Sequence, residues 1–86
     1  MNGIKIKLTN HAKIKIRERN ISSDIIKDII KNPELIENDK FDDSLIHFIS
    51  KIDNNHYLRI IGRWEDKNCF LIVSCFLDRR IKKYKR

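Results

Sequence analysis

The chain has 86 residues, a mass of 10.4 kDa and a net charge of +7, which confines it to one small domain. Its longest apolar run, Cys69 to Leu77, is broken by Ser74 and falls far short of the roughly 20 residues a membrane helix needs, while Lys5 and Lys7 interrupt the apolar start a signal peptide would require. Two cysteines cannot build a disulfide framework. With 41% apolar residues, 17 isoleucines and three Gly and Pro together, the composition predicts a folded, reduced, cytoplasmic protein.

Ile4 to Leu8 alternates apolar and basic residues, which predicts a strand with one buried face. Thr9 or Asn10 can cap a first helix, with Ala12, Ile16 and Arg19 at helical spacing, Ile14 near that face, and Asn20 as a left-handed stop. Ser22 or Ser23 caps a second helix. Its Ile25, Ile26, Ile29 and Ile30 form one stripe, and Asn32-Pro33 ends it. The period then changes to two. Leu35–Phe41 predicts a polar edge strand, Asp42-Asp43 a turn, and Leu45–Ile52 a second strand of this half. Asp53-Asn54-Asn55 is a hairpin signal, followed by Tyr57–Trp64. Asp66-Lys67-Asn68 turns again into Cys69–Leu77, apolar enough to be buried on both faces. The expected order is β-α-α-β-β-β-β in a single α+β domain spanning 1–86. Its two N-terminal helices are expected on one face of a twisted antiparallel sheet. The uncovered face would carry Arg59 and Arg63, with His47 or Tyr57 nearby.

The charge is unevenly spread. Residues 1–19 carry +5, residues 20–58 carry −4, residues 59–78 balance, and the basic tail 79–86 adds +6. Two basic ends flanking an acidic middle would make a polyanion-binding surface if they share a face, with RNA or DNA the obvious ligand. The plainer reading is a solvated charged surface with a basic tail.

The run Leu8-Thr9-Asn10-His11-Ala12-Lys13-Ile14-Lys15-Ile16-Arg17-Glu18-Arg19-Asn20-Ile21-Ser22 resembles the signature T-x-H-A-x-x-(R/K)-(M/I)-x-E-R-x-I-(S/T). That signature opens a bacterial and archaeal domain-of-unknown-function family in the RelE/ParE toxin superfamily. Asn32-Pro33-Glu34 matches its usual N-P-E, and the last apolar strand with its basic, Tyr-containing end matches as well. Lys15 and Asn20 stand where Arg and Gly are commoner, and Ser74-Cys75-Phe76 replaces a Thr-Val-Tyr-like strand end. The resemblance implies a RelE-like fold and a toxin of a toxin–antitoxin pair that cleaves mRNA, often on the ribosome. Its partner would be a small acidic antitoxin. ParE-type relatives instead inhibit DNA gyrase, so a non-catalytic binding toxin or an RNA-binding module is the alternative.

RNA cleavage by the 2′-hydroxyl needs a base, an acid for the leaving oxygen, and cations for the phosphorane charge. No metal or other cofactor is expected, since His11, His47 and His56 lack ligand spacing. His11, at a helix start inside the motif, is a candidate base, or else it locks the helix to the sheet. Arg19, about two turns later, could clamp phosphate or pair with a nearby acid. Arg59 and Arg63 resemble the phosphate-stabilising arginines of these toxins, and Tyr84 resembles their C-terminal tyrosine. These five form the candidate catalytic set. Lys5, Lys7, Lys15, Arg79, Arg80, Lys82, Lys83 and Lys85 are the candidate RNA-binding residues. His47 and His56 read as sheet-surface or loop residues, and Phe48, Trp64 and both cysteines as core.

Overall fold

Two side-chain caps decide where the helices begin. In a computed structural model, which describes residues 3–78, Thr9 Oγ1 accepts the Ala12 N–H at 3.1 Å and opens helix α1, Asn10–Glu18. Ser22 Oγ accepts the Ile25 N–H at 3.2 Å and opens α2, Ser23–Lys31. Each oxygen satisfies one of the amides that a helix start leaves without an intrahelical partner. Asn20, at φ 57°, turns the chain between the helices in the left-handed region that Asn tolerates. Ile26, Ile29 and Ile30 are buried under α2, whereas Ile25 stays partly exposed at the margin of the stripe.

Five strands follow the expected periods: β1 (Lys5–Leu8), β2 (Leu35–Asn38), β3 (Ile46–Asp53), β4 (His56–Asp66) and β5 (Cys69–Asp78). They form one sheet in the order β1-β5-β4-β3-β2. Strands β2 to β5 pair antiparallel in sequence. Strand β1 pairs with β5 in parallel, Ile6 opposite Phe70 and Leu8 opposite Ile72. The wholly antiparallel sheet expected from the sequence is thereby overturned, and the sheet is mixed. Alternation reveals which face a residue takes but not which way its strand runs. Direction is fixed instead at the end of β1, where the Thr9 N–H donates to the Ile72 carbonyl at 3.1 Å and Thr9 Oγ1 to the Val73 carbonyl at 3.3 Å.

The helices cover one face of the sheet. Ala12, Ile26, Ile29 and Ile30 meet Phe48, Leu58, Ile60, Phe70, Ile72 and Cys75 there. Phe70 is wholly buried and stacks edge-on to Trp64 at 4.9 Å and tilted to Phe48 at 5.2 Å, arrangements that aromatic quadrupoles favour. Gly62 lies at the bulge opposite Ile72. A Cβ there would overlap the Leu71 carbonyl and stand 2.7 Å from the Phe70 ring, so glycine is needed for close approach rather than for φ. On the other face Ile49 and Tyr57 are buried with Leu35 against them. Among the described residues no helix is long and apolar enough to cross a membrane.

Candidate anion-binding surface

Helix α1 presents its cations in two ridges. Lys13 and Arg17 stand four residues apart, as do Lys15 and Arg19, so each pair shares a helix face. Like charges at this spacing destabilise an isolated helix by about 0.2–0.5 kcal/mol per pair. What offsets this is the Thr9 cap, the buried Ala12, and the placement of Lys15 and Arg17 in the last turn, beside the negative end of the helix dipole. A bound anion would relieve the repulsion directly.

The first ridge borders an open groove. Leu8, Ile16 and Ile21 form its apolar part, and Lys13 and Arg17 its cationic side. The second ridge lies toward β5. Burial pushes the Cys75 thiol up, and the charges of Arg19 and Lys15 partly oppose that. Strand β1 adds Lys5 and Lys7, both exposed. Lys7 Nζ reaches Glu65 Oε1 at 2.9 Å, and this bond holds the ammonium above its ordinary value. Lys15 and Arg19 thus line one flank of α1, and Lys13 and Arg17, which sequence reasoning left out of the site although their i,i+4 spacing was visible, line the other. Lys5 and Lys7 take the opposite sheet face, because Ile4, Ile6 and Leu8 pack under the helices. His11 is exposed in the first turn of the same helix.

Arg59 lies on the opposite face and is built into the fold. Its Nε donates to Asp78 Oδ2 at 3.0 Å and its Nη1 to Glu37 Oε1 at 3.0 Å. The same Nη1 lies 2.6 Å from His47 Nδ1, whose Nε2 is 2.8 Å from Asp39 Oδ1. A guanidinium only donates, so Nδ1 accepts and the Nε2 N–H donates to Asp39. Both ring nitrogens are thereby engaged. Side-chain exposure is 10% for Arg59 and 2% for Asp78, so this charge does not face solvent for a phosphate. Arg63 is exposed on the same strand, and its charge acts on the Asp42 carboxyl.

His11 and Arg19 therefore share a helix, while Arg59 and Arg63 lie across the sheet from it. Tyr84, Arg79, Arg80, Lys82, Lys83 and Lys85 lie outside the described residues. His56 closes the β3–β4 hairpin through Asp53, at 2.9 Å from Oδ1 and 3.1 Å from Oδ2. The Asn55 amide and then His56 hold the Asp53 carboxyl below its usual range. Among the described residues no group of three His, Cys, Asp or Glu side chains could hold a metal ion. Sequence reasoning missed Glu37, Asp39 and Asp78 as partners of Arg59 and His47. Strand parity placed Arg59 on this face, but the cross-strand register that brings the carboxylates to it was not written in any local motif.

Residues 8–74 match the family described as a domain of unknown function, DUF4258. That match spans most of the chain, and the protein belongs to this family. No curated protein and no solved structure matches it.

Proposed function

We propose that this protein binds RNA along the side built from β1 and α1, as a small cytoplasmic toxin of a toxin–antitoxin pair. The observation that carries the binding is the four cations of one short helix and its C-cap, Lys13 and Arg17 on one flank and Lys15 and Arg19 on the other, with Glu18 the one acid in α1. Such a concentration of positive charge attracts a phosphate backbone by counterion release, independently of base sequence.

Cleavage of the bound strand is the further step. It rests on the resemblance of Leu8 to Ser22 to the toxin signature, not on the mixed sheet. In this reading His11 takes the proton of a 2′-hydroxyl as that oxygen attacks the adjacent phosphorus, and Arg19 steadies the phosphorane charge. The 5′-oxygen leaves with a proton from a second donor, a role this reading gives to Tyr84. Arg59, held by Glu37, Asp78 and His47, takes no part. The ribosome would be the site of action and an acidic antitoxin the covering partner. The separation of His11 from Arg59 across the sheet favours a second reading, binding without cleavage, as in a gyrase-directed or RNA-binding module.

The test is fluorescence polarisation with a labelled single-stranded RNA over a salt series, followed by gel analysis of the same samples and of a translating extract. Affinity should fall with salt by about 0.7 log unit per log salt for each phosphate neutralised. Lys13→Gln with Arg17→Gln should reduce that slope by about two such steps. Absence of salt-dependent binding at low ionic strength would end the RNA reading. Binding with no new RNA ends in either setting would leave the binding module, and ends that persist in His11→Ala would remove His11 from the chemistry.

A further inference from the structure

The edge of the sheet farthest from α1 carries a feature that RNA binding does not use. Phe41, in the loop between β2 and β3, is 96% exposed, and Ile36 on β2 is 61% exposed. The loop is nevertheless firmly built. Asp39 Oδ2 accepts the N–H groups of Phe41 and Asp42, each at 3.0 Å. Asp42 Oδ1 accepts from the Ser44 amide at 2.9 Å and its hydroxyl at 2.7 Å. The Asp39 amide donates to the Leu45 carbonyl, and the Leu45 amide to that of Asp42. Six hydrogen bonds thus hold an aromatic ring out in water. Such a ring has surrendered much of its backbone freedom in advance, which is the condition for a low ordering penalty on docking.

We propose that this loop docks on a second copy of the chain, with Phe41 in the groove of Leu8, Ile16 and Ile21, and Asp42 and Asp43 against Lys13 and Arg17. The argument is complementarity in both shape class and charge. The loop offers an apolar ring with three acids, Asp39, Asp42 and Asp43, around it against the single cation Lys40, and the groove offers an apolar floor flanked by cations. A loop-to-loop contact would oppose Asp39, Asp42 and Asp43 to their own copies, and a groove-to-groove contact would oppose Lys13 and Arg17 to theirs. Like-charge juxtaposition disfavours both symmetric pairings. The loop follows β2, at one edge of the sheet, while the groove adjoins β1 at the other. One molecule therefore cannot fill its own groove, and the loop of one copy enters the groove of another. A single loop in a groove is a small interface of the transient kind, weakened by salt.

The test is sedimentation velocity of the full chain at low salt, in the absence of nucleic acid, from about 10 μM to about 1 mM, the range of weak contacts. The weight-average mass should rise above 10.4 kDa with concentration. Phe41→Ser should weaken association at least about tenfold while melting as the wild type does, because the ring is almost wholly in solvent. Asp43→Lys and the Lys13→Glu/Arg17→Glu variant should each associate less. Their equimolar mixture should recover association, because the native loop of one then meets the native groove of the other and the two altered surfaces are again opposite in charge. A wild-type mass that stays at the monomer value, a Phe41→Ser protein that associates like the wild type, or a mixture no heavier than its parts would each overturn the proposal. Because no RNA is present, such a result leaves the RNA-binding reading standing.

Discussion

Arg59 shows how burial changes the meaning of a cation. On an open sheet face an arginine suits a phosphate, but here its donors meet Asp78, Glu37 and His47. The pair with Asp78 is nearly dry, so removing one partner leaves a charge that neither water nor a counter-ion fully stabilises. Breaking such a pair costs about 3–5 kcal/mol, against a total stability of roughly 4–13 kcal/mol for a chain of this length. Arg59→Met should therefore lower the melting temperature by more than about 10 °C, since each kcal/mol moves a domain of this size by about 4–8 °C. Thermal unfolding followed by circular dichroism checks this. A shift of only a degree or two would mean that the carboxylates are adequately hydrated without the guanidinium. His47 belongs to the same account. With Nδ1 accepting from Arg59 and Nε2 donating to Asp39, it links the buried charge to the exposed loop rather than offering a ring to a substrate.

At the scale of elements, that loop carries its own acid dependence. The His47 ring first, and then the Phe41 amide, hold the Asp39 carboxyl below its usual range. The Ser44 hydroxyl and amide do the same for Asp42. A depressed folded value means that the stabilisation is fully present above the ordinary aspartate range, near about pH 3.9, and is lost as pH falls through the lower folded value. The amide resonance of Phe41 should hold its position through pH 5 and 4 and move only below about pH 3.9. A midpoint at or above the ordinary aspartate value in an NMR titration would show that the Asp39 bonds are absent in solution. The same loop marks a limit of sequence reading. Period-two alternation carried the expected strand through Phe41, but the strand ends at Asn38, because Asp39 captures the next amides in a local turn. Asp39 and Asp42 at that spacing were the visible clue. The second helix was legible from Ser22 to Asn32-Pro33, since cap, stripe and stop agreed. The hairpin at Asn54-Asn55 was legible for the same reason. The direction of β1 was not, because one short alternating strand pairs equally well either way until Thr9 ties its end to β5.

For the molecule as a whole, strand order turns a sequence asymmetry into a spatial one. The basic stretch that ends at Arg19 occupies β1 and α1, beside β5, and the acid excess of residues 20–58 falls on β2, β3 and the segments next to them at the other edge, the acids of α2 being balanced by Lys27 and Lys31. RNA and the Phe41 loop are both assigned to Lys13 and Arg17, so the two proposals are linked. Ligands that compete for one site weaken each other by the same factor, whichever is added first. A short single-stranded oligonucleotide should therefore dissolve any self-association of the wild type. The apparent RNA affinity should fall as protein concentration rises into the associating range. Phe41→Ser should bind RNA with an affinity independent of protein concentration, because it retains the cations and lacks the competitor. Sedimentation of the protein with a fluorescently labelled oligonucleotide reads both masses in one experiment. Larger assemblies on adding a strand too short to hold two molecules would place RNA and the loop on separate surfaces. The cations of α1 would then serve only one of them, and the retained salt dependence of each equilibrium would identify which.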